Sequence, residues 1–247
     1  MTTAKIALIT GANKGIGFET ARQLGAMGHT VWLGCRDQER GTQAAEDLRA
    51  GGIAAHFVQL DITDADSVRA AVAHVEAQSH HLDILINNAG IASGMGSPPS
   101  TEDIDAIRSI FDVNFFGTVR VTQAFLPLLR KAENARIVFM SSGLGSISLT
   151  GDMKAPTWGV HAMGYSASKT AINMYTAKLA KELLTEGIKV NAACPGSVAT
   201  DMGGKMAPKT VEQGAVIAVR LATLGWMGPT GGFYHDAEGP SMAPYGW

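Results

Sequence analysis

Short apolar segments rich in β-branched residues recur along this chain at 5–10, 30–35, 54–59, 84–87, 136–141, 189–193 and 232–234. Between each and the next lies a longer stretch of helical pattern, near 15–27, 38–50, 64–79, 101–131, 164–186 and 210–223. Antiparallel strands can be joined by two-residue turns, whereas parallel neighbours need a crossover of a dozen or more residues. All six connections here are long enough to be crossovers. The alternation therefore predicts an α/β fold: one parallel sheet of about seven strands with helices on both faces. Right-handed crossovers make that sheet doubly wound. Helix punctuation agrees, with Asp37 and Asp64 or Thr63 at starts and Gly51-Gly52 and Gly187 at ends. No repeat or linker interrupts the pattern, so residues 1–247 read as a single domain. Two connections, 143–164 and 197–209, are too long to be simple links and read as substrate loops.

Hydrophobic residues make up 46% of the chain and charged residues 17%, enough for a large core. A formal net charge of -2 predicts no general attraction to nucleic acid or anionic membrane. No run approaches the roughly 20 apolar residues of a membrane span, and the short apolar stretch after Lys5 is too brief for a signal peptide. The expected location is cytoplasmic. Cys35 and Cys194 are too few and too far apart for a disulfide framework. No metal is expected: His80-His81 lacks supporting ligands and reads as favourable charge at a helix end.

The first strand leads directly into Thr10-Gly11-Ala12-Asn13-Lys14-Gly15-Ile16-Gly17, and a helical pattern follows. Glycines there allow a tight turn and close backbone approach to a pyrophosphate, whose charge the helix N-terminus favours. The strand before and the helix after are the context that a dinucleotide loop requires. A second pattern, Tyr165-Ser166-Ala167-Ser168-Lys169, puts phenol and ammonium on one face of a helix. A nearby ammonium is expected to lower the tyrosine pKa toward the working range of an acid–base group.

The glycine spacing, Asn87-Asn88-Ala89-Gly90 after the fourth strand, and the Tyr165/Lys169 pair together resemble the short-chain dehydrogenase/reductase family, over nearly the whole chain and in family order. The resemblance implies a Rossmann-type sheet binding a nicotinamide dinucleotide. It places Gly11, Asn13, Lys14, Gly15, Ile16 and Gly17 on the pyrophosphate side, Asp61-Ile62 near adenine, and the backbone of Asn88, Ala89 and Gly90 against the adenosine. It also sets Pro195-Gly196-Ser197-Val198-Ala199-Thr200 beside the nicotinamide, with Val198 bonding the carboxamide and Thr200 reaching the phosphates. Tyr165 becomes the proton donor and Lys169 its helper and ribose ligand. Ser142, with Ser141 as the alternative, bonds the substrate oxygen, and Asn114 holds a water that links the lysine to solvent.

Cofactor choice is read after the second strand, where an acid selects NAD and arginine accommodates the 2′-phosphate of NADP. The family's acidic position falls on Cys35; Arg36 follows it, Lys14 stands in the loop, and Arg40 is an additional phosphate candidate. Asp37 reads as a helix cap. NADPH is therefore the expected cofactor. The expected reaction is reduction of a ketone or aldehyde to an alcohol. A catalytically silent NADP-binding sensor, or an isomerase or dehydratase on the same fold, is the alternative. Ser142 and Tyr165 are 23 residues apart, about ten more than is usual in the family. The longer segment resembles the carbonyl-reductase branch. Its Leu144, Ile147, Leu149, Met153, Trp158, Val160 and Met163, with Met202 and Met206, are expected to roof an apolar pocket for bulky or aromatic carbonyl compounds. A monomer and a homo-oligomer, dimer or tetramer, both remain open.

Overall fold

The computed structural model describes residues 4–93, 95–236 and 242–247. Strands β1 (Ile6–Thr10), β2 (Thr30–Cys35), β3 (Ala55–Gln59), β4 (Ile84–Asn87), β5 (Arg136–Met140), β6 (Lys189–Cys194), β7 (Phe233–Asp236) and β8 (Met242–Pro244) form one sheet in the order β3-β2-β1-β4-β5-β6-β7-β8. Seven strands run parallel, as the crossover lengths dictate. The eighth, β8, returns antiparallel on β7 and was not expected from the sequence. Helices α1 (Gly15–Ala26), α2 (Gln38–Ala50), α3 (Ala65–Ser79), α4 (Ile104–Phe111), α5 (Thr118–Leu129), α6 (Ile147–Thr150), α7 (Met163–Glu182) and α8 (Val211–Ala222) connect them.

The strands divide their side chains with period two between two apolar layers. Leu8, Trp32, Val58, Leu85 and Phe139 face α3, α5 and α7. Ala7, Ile9, Val31, Leu33 and Ile86 face α1, α2 and α8. Leu8 and Ile9 are both fully buried, and each such side chain contributes roughly 1.5–3 kcal/mol of transfer free energy. The sheet is thus pinned from both sides, and its strand ends offer a rigid platform.

Asp37 caps α2 by accepting from Arg40 N–H, and Asp64 caps α3 through Asp66 N–H. The stretch 101–131 is not one α-helix. It begins at Ile104 and passes through a π-helical turn, Asp112–Gly117, before continuing as α5. His80 closes α3 in the left-handed region at φ 57°, so it terminates the helix conformationally. His81 lies 3.3 Å from Asp83 instead of serving the helix end.

Candidate active site

Strand order reverses where β1 and β4 lie side by side, so the loops leaving their C-terminal ends diverge and open a crevice. The glycine loop enters it from β1. Gly15 sits at φ 58°, a conformation that favours glycine, with only the Thr200 methyl near the point where a side chain would start. Gly17 is required for contact: a Cβ there would lie 2.4 Å from Asn88 Nδ2 and 2.6 Å from the Gly11 carbonyl. Asn88 holds the loop from behind, donating from Nδ2 to the carbonyls of Thr10 (2.9 Å) and Gly11 (3.1 Å). The amides of Asn88 and Ala89 both donate to Thr10 Oγ1. Those two amides therefore brace the loop and are not directed toward a ligand. No side chain caps α1 at Lys14, which leaves its N-terminal amides as anion donors. An uncapped helix start behind a crowded glycine turn fits a pyrophosphate.

Cys35 ends β2 as a buried thiol whose pKa burial pushes up to about 11, and no carboxylate replaces it. Asp37 is turned back onto its own helix at 3.0 Å. Arg36 and Lys14 are exposed, and Lys14 Nζ lies 2.5 Å from Asp201 of the 197–209 loop. Asn13, Lys14, Arg40 and Gln43 line a groove of about 350 Å³ beside α2. Asp61 bends onto Thr63, accepting from its N–H (2.9 Å) and hydroxyl (2.7 Å), and these bonds hold its carboxyl below the usual range. The Ile62 carbonyl accepts from Arg120 at 2.6 Å.

The four catalytic candidates converge at the ends of β4 and β5. Asn114 is 1% exposed and lies in the π-helical turn, a distortion often found at functional sites. Its amide donates to the Ile91 carbonyl (2.9 Å) and Ser168 Oγ (3.0 Å), and its Oδ1 accepts from Ile91 N–H (2.8 Å). Gly90 keeps the space between Asn114 and Lys169: a Cβ there would start 3.1 Å from Asn114 Oδ1 and 3.6 Å from Lys169 Nζ. Lys169 Nζ donates to the Met140 carbonyl at 2.8 Å and lies 5.6 Å from the centre of the Tyr165 ring. The two serines separate by environment. Ser141 Oγ is buried and committed to Asn173 Oδ1 at 2.6 Å, whereas Ser142 Oγ accepts from Leu144 N–H at 3.2 Å and its hydroxyl counteracts the upward shift of the Tyr165 phenol.

The electrostatics differ from the simple expectation. Burial pushes the Tyr165 phenol up to about 12, partly offset by the Ser142 hydroxyl and reinforced by Cys194. Burial likewise lowers the Lys169 ammonium to about 8. The lysine does not depress the tyrosine here; burial sets the direction of both shifts.

Pro195-Gly196 leave β6, and Val198 continues as a parallel bridge to Lys209, with Ala199 N–H donating to the Lys209 carbonyl at 2.9 Å. Thr200 Oγ1 accepts from Gly203 N–H at 3.1 Å, and its methyl faces Gly15 of the glycine loop. The apolar residues of 143–164 do not fold under as a packed roof. Met153 is 74% and Trp158 52% exposed, and Ile147, Val160, Met202 and Met206 are exposed as well.

One site residue escaped the sequence reading. Glu102 is 7% exposed and reaches across 61 residues to the start of α7, accepting from Met163 N–H and Gly164 N–H at 3.0 Å each. It caps the helix that carries Tyr165 and Lys169, where Ala162 supplies no side-chain cap. An acid just before an apolar helix was visible in the sequence, but not the helix it would serve. Among the described residues no helix is long and apolar enough to cross a membrane.

Residues 5–210 match the family model described as short chain dehydrogenase. The chain belongs to that family. It is 38% identical over 253 residues to short-chain dehydrogenase anuI of Penicillium roqueforti (strain FM164), covering 99% of this chain and 98% of that one. It is 35% identical over 275 residues to carbonyl reductase (NADPH) 1 of Sus scrofa, covering 97% and 91%. The fold is similar to that of NADPH-bound carbonyl reductase from chicken fatty liver, with a TM-score of 0.83, 31% identity, and coverage of 95% and 97%.

Proposed function

We propose that this short-chain dehydrogenase reduces a ketone or aldehyde to an alcohol using NADPH. The observation that carries the reading is the convergence of Tyr165, Ser142, Lys169 and Asn114 beside the glycine loop. The carbonyl-reductase relatives support it. Lys14 and Arg36, with the acid absent at Cys35, support NADPH over NADH, because a 2′-phosphate needs cations and no carboxylate opposite it. Gly11 to Gly17 and the start of α1 would hold the pyrophosphate, with Thr200 opposite. Val198 would meet the carboxamide and Lys169 the ribose. Bound there, NADPH would supply the hydride.

The protein's own residues then manage the oxygen and the proton. Ser142 donates to the carbonyl oxygen and steadies negative charge as it grows. Tyr165, protonated at neutral pH with its pKa near 12, stands ready as general acid. Lys169 holds its position through the Met140 carbonyl, and its ammonium, when charged, steadies the phenolate that remains after the proton is given up. Asn114 fixes the neighbouring Ile91 backbone and Ser168, where it would help hold a water that links the lysine to solvent. The exposed Ile147, Met153, Trp158 and Val160 favour bulky apolar or aromatic carbonyl compounds over small hydrophilic ones, because such a surface gains from being covered.

The test follows NADPH absorbance with an aromatic ketone. The parent should turn over and Tyr165→Phe should lose at least roughly 100-fold in kcat while still binding NADPH. A parent that binds NADPH without consuming it would instead be a sensor. Near-normal turnover in Tyr165→Phe would assign the proton to another group.

A further inference from the structure

Tyr165 and Ser142 must meet one substrate oxygen, yet they arrive on different elements. Ser142 leads into a single 3₁₀ turn, Gly143–Gly145. The turn is closed locally: Gly145 N–H donates to the Ser142 carbonyl at 2.8 Å and Ser146 N–H to the Gly143 carbonyl at 3.1 Å. The Ser142 hydroxyl accepts from Leu144 N–H at 3.2 Å, again within the turn. These bonds shape the turn but do not place it against α7. Placing it needs contacts that cross from the turn to the helix.

The side chain of Asn173 makes that crossing twice. It is 2% exposed and lies eight residues after Tyr165 on α7, about 12 Å along the axis at the usual rise. Spacings of four put Tyr165, Lys169 and Asn173 on one side of the helix. Asn173 Oδ1 accepts from Ser141 Oγ at 2.6 Å, one residue before Ser142. Its Nδ2 donates to the Gly145 carbonyl at 3.1 Å, three residues after Ser142. One planar amide thus grips both flanks of Ser142, its acceptor and its donor each finding a complementary partner. Neighbouring contacts pull the same way. Thr170 Oγ1 donates to the Gly145 carbonyl at 2.9 Å, and Lys169 Nζ to the Met140 carbonyl at 2.8 Å. The turn lies hard against the helix: a Cβ on Gly145 would stand 2.7 Å from Lys169 Cβ and 2.8 Å from its carbonyl carbon.

We infer that Asn173 is a positioning residue for Ser142, holding its hydroxyl at a fixed place relative to Tyr165. This rests on the reductase reading. Without the amide, the turn keeps its Thr170 bond but loses the anchor ahead of Ser142 and part of the one behind it. Ser142 then meets the developing oxyanion less well. Deleting an oxyanion donor costs roughly 100–1000-fold in kcat, so displacing one that is still present should cost less, about 10–50-fold.

The experiment compares the parent, Asn173→Ala, Ser142→Ala and the double variant for NADPH affinity, kcat and KM with an aromatic ketone. Asn173→Ala should lose about 10–50-fold in kcat, with KM and NADPH affinity changed by less than about twofold, because the bond at stake strengthens in the transition state. In the Ser142→Ala background the same substitution should cost less than about threefold, since no hydroxyl is left to place. Equal losses in the two backgrounds would overturn the inference, for the amide would then serve the fold at large. So would an unchanged kcat in Asn173→Ala. If that variant does not fold, Ser141→Ala, which removes one oxygen from the shorter bond, goes through the same cycle with an expected loss of about 3–10-fold. A second measurement does not need turnover. Amide hydrogen exchange over 142–146, read by mass spectrometry, should quicken about tenfold or more in Asn173→Ala while β1 stays protected. Unchanged exchange there would also overturn the inference. A parent that reduces no ketone fails the reductase reading, and the exchange result then decides whether Asn173 holds the turn.

Discussion

Replacing Lys169 by methionine should make the ligand-free protein more stable at neutral pH, although it should abolish turnover. The ammonium is 6% exposed, and burial lowers its pKa from 10.5 to about 8. At about 1.36 kcal/mol per unit, keeping it charged in the fold costs about 3 kcal/mol at pH values below both figures. Methionine fills similar space without that cost. It also strands the Met140 carbonyl, which loses its 2.8 Å donor at a penalty of about 1–2 kcal/mol. The net expectation at pH 7 is a gain of about 1–2 kcal/mol. Between about pH 8 and 10.5 the folded parent has shed this proton while the unfolded chain still holds it. The parent's stability therefore rises with pH through that window, and the variant's advantage shrinks and reverses. Tyr165 has the opposite sign, since its raised pKa loses stability only as pH climbs from 10 to about 12, and it is common to both proteins. Urea unfolding of the two proteins near pH 7 and near pH 10 gives the difference directly. A variant less stable at pH 7, or a difference that does not change with pH, would refute the assignment of the burial cost to this lysine.

Arg36→Asp should lower the ratio of kcat/KM for NADPH to that for NADH by at least about tenfold, since it exchanges a phosphate partner for a repelling charge; an unchanged ratio would remove Arg36 from the cofactor site. Gly17→Ala should destabilise the fold by about 1–3 kcal/mol and weaken NADPH binding, because its Cβ would meet the Asn88 amide and the fixed Gly11 carbonyl, and wild-type affinity by fluorescence titration would contradict this. Trp158→Ala should reduce kcat/KM for a bulky aromatic ketone several-fold more than for a small hydrophilic one, on the ~1–3 kcal/mol scale of an apolar contact, and an unchanged ratio would place the loop outside the substrate site.

What could be read from sequence was whatever is encoded locally. Short apolar segments rich in β-branched residues announced the parallel strands, and the glycine loop announced its own turn. Asp37 declared itself a cap because the residue after it opened a helical pattern, and its carboxylate does accept from Arg40 N–H. What escaped depends on contacts between distant segments. Met242–Pro244 carries no strand signature, and its proline is tolerated because β8 is an edge. Glu102 caps a helix 61 residues away. The choice between Ser141 and Ser142 turned on whether Asn173 stood within reach of one of them. Residues four apart on α7 showed that Tyr165 and Lys169 share a face, but not how deeply both are buried, and depth sets the direction of their pKa shifts.

Glu102 has a consequence for how such a site can diversify. The start of α7 is set by a carboxylate anchored ahead of α4, at Met163 and Gly164, immediately before the tyrosine. Ser142 is set from the other side, at the end of β5. The two hydroxyls are therefore held by separate fixtures, with Gly145 bonded to α7 by Thr170 and Asn173, and the largely exposed residues 151–161 need not measure the distance between them. That stretch behaves as an exchangeable cassette. It can gain or lose about ten residues, and change which molecules it admits, while the hydroxyls it separates keep their spacing.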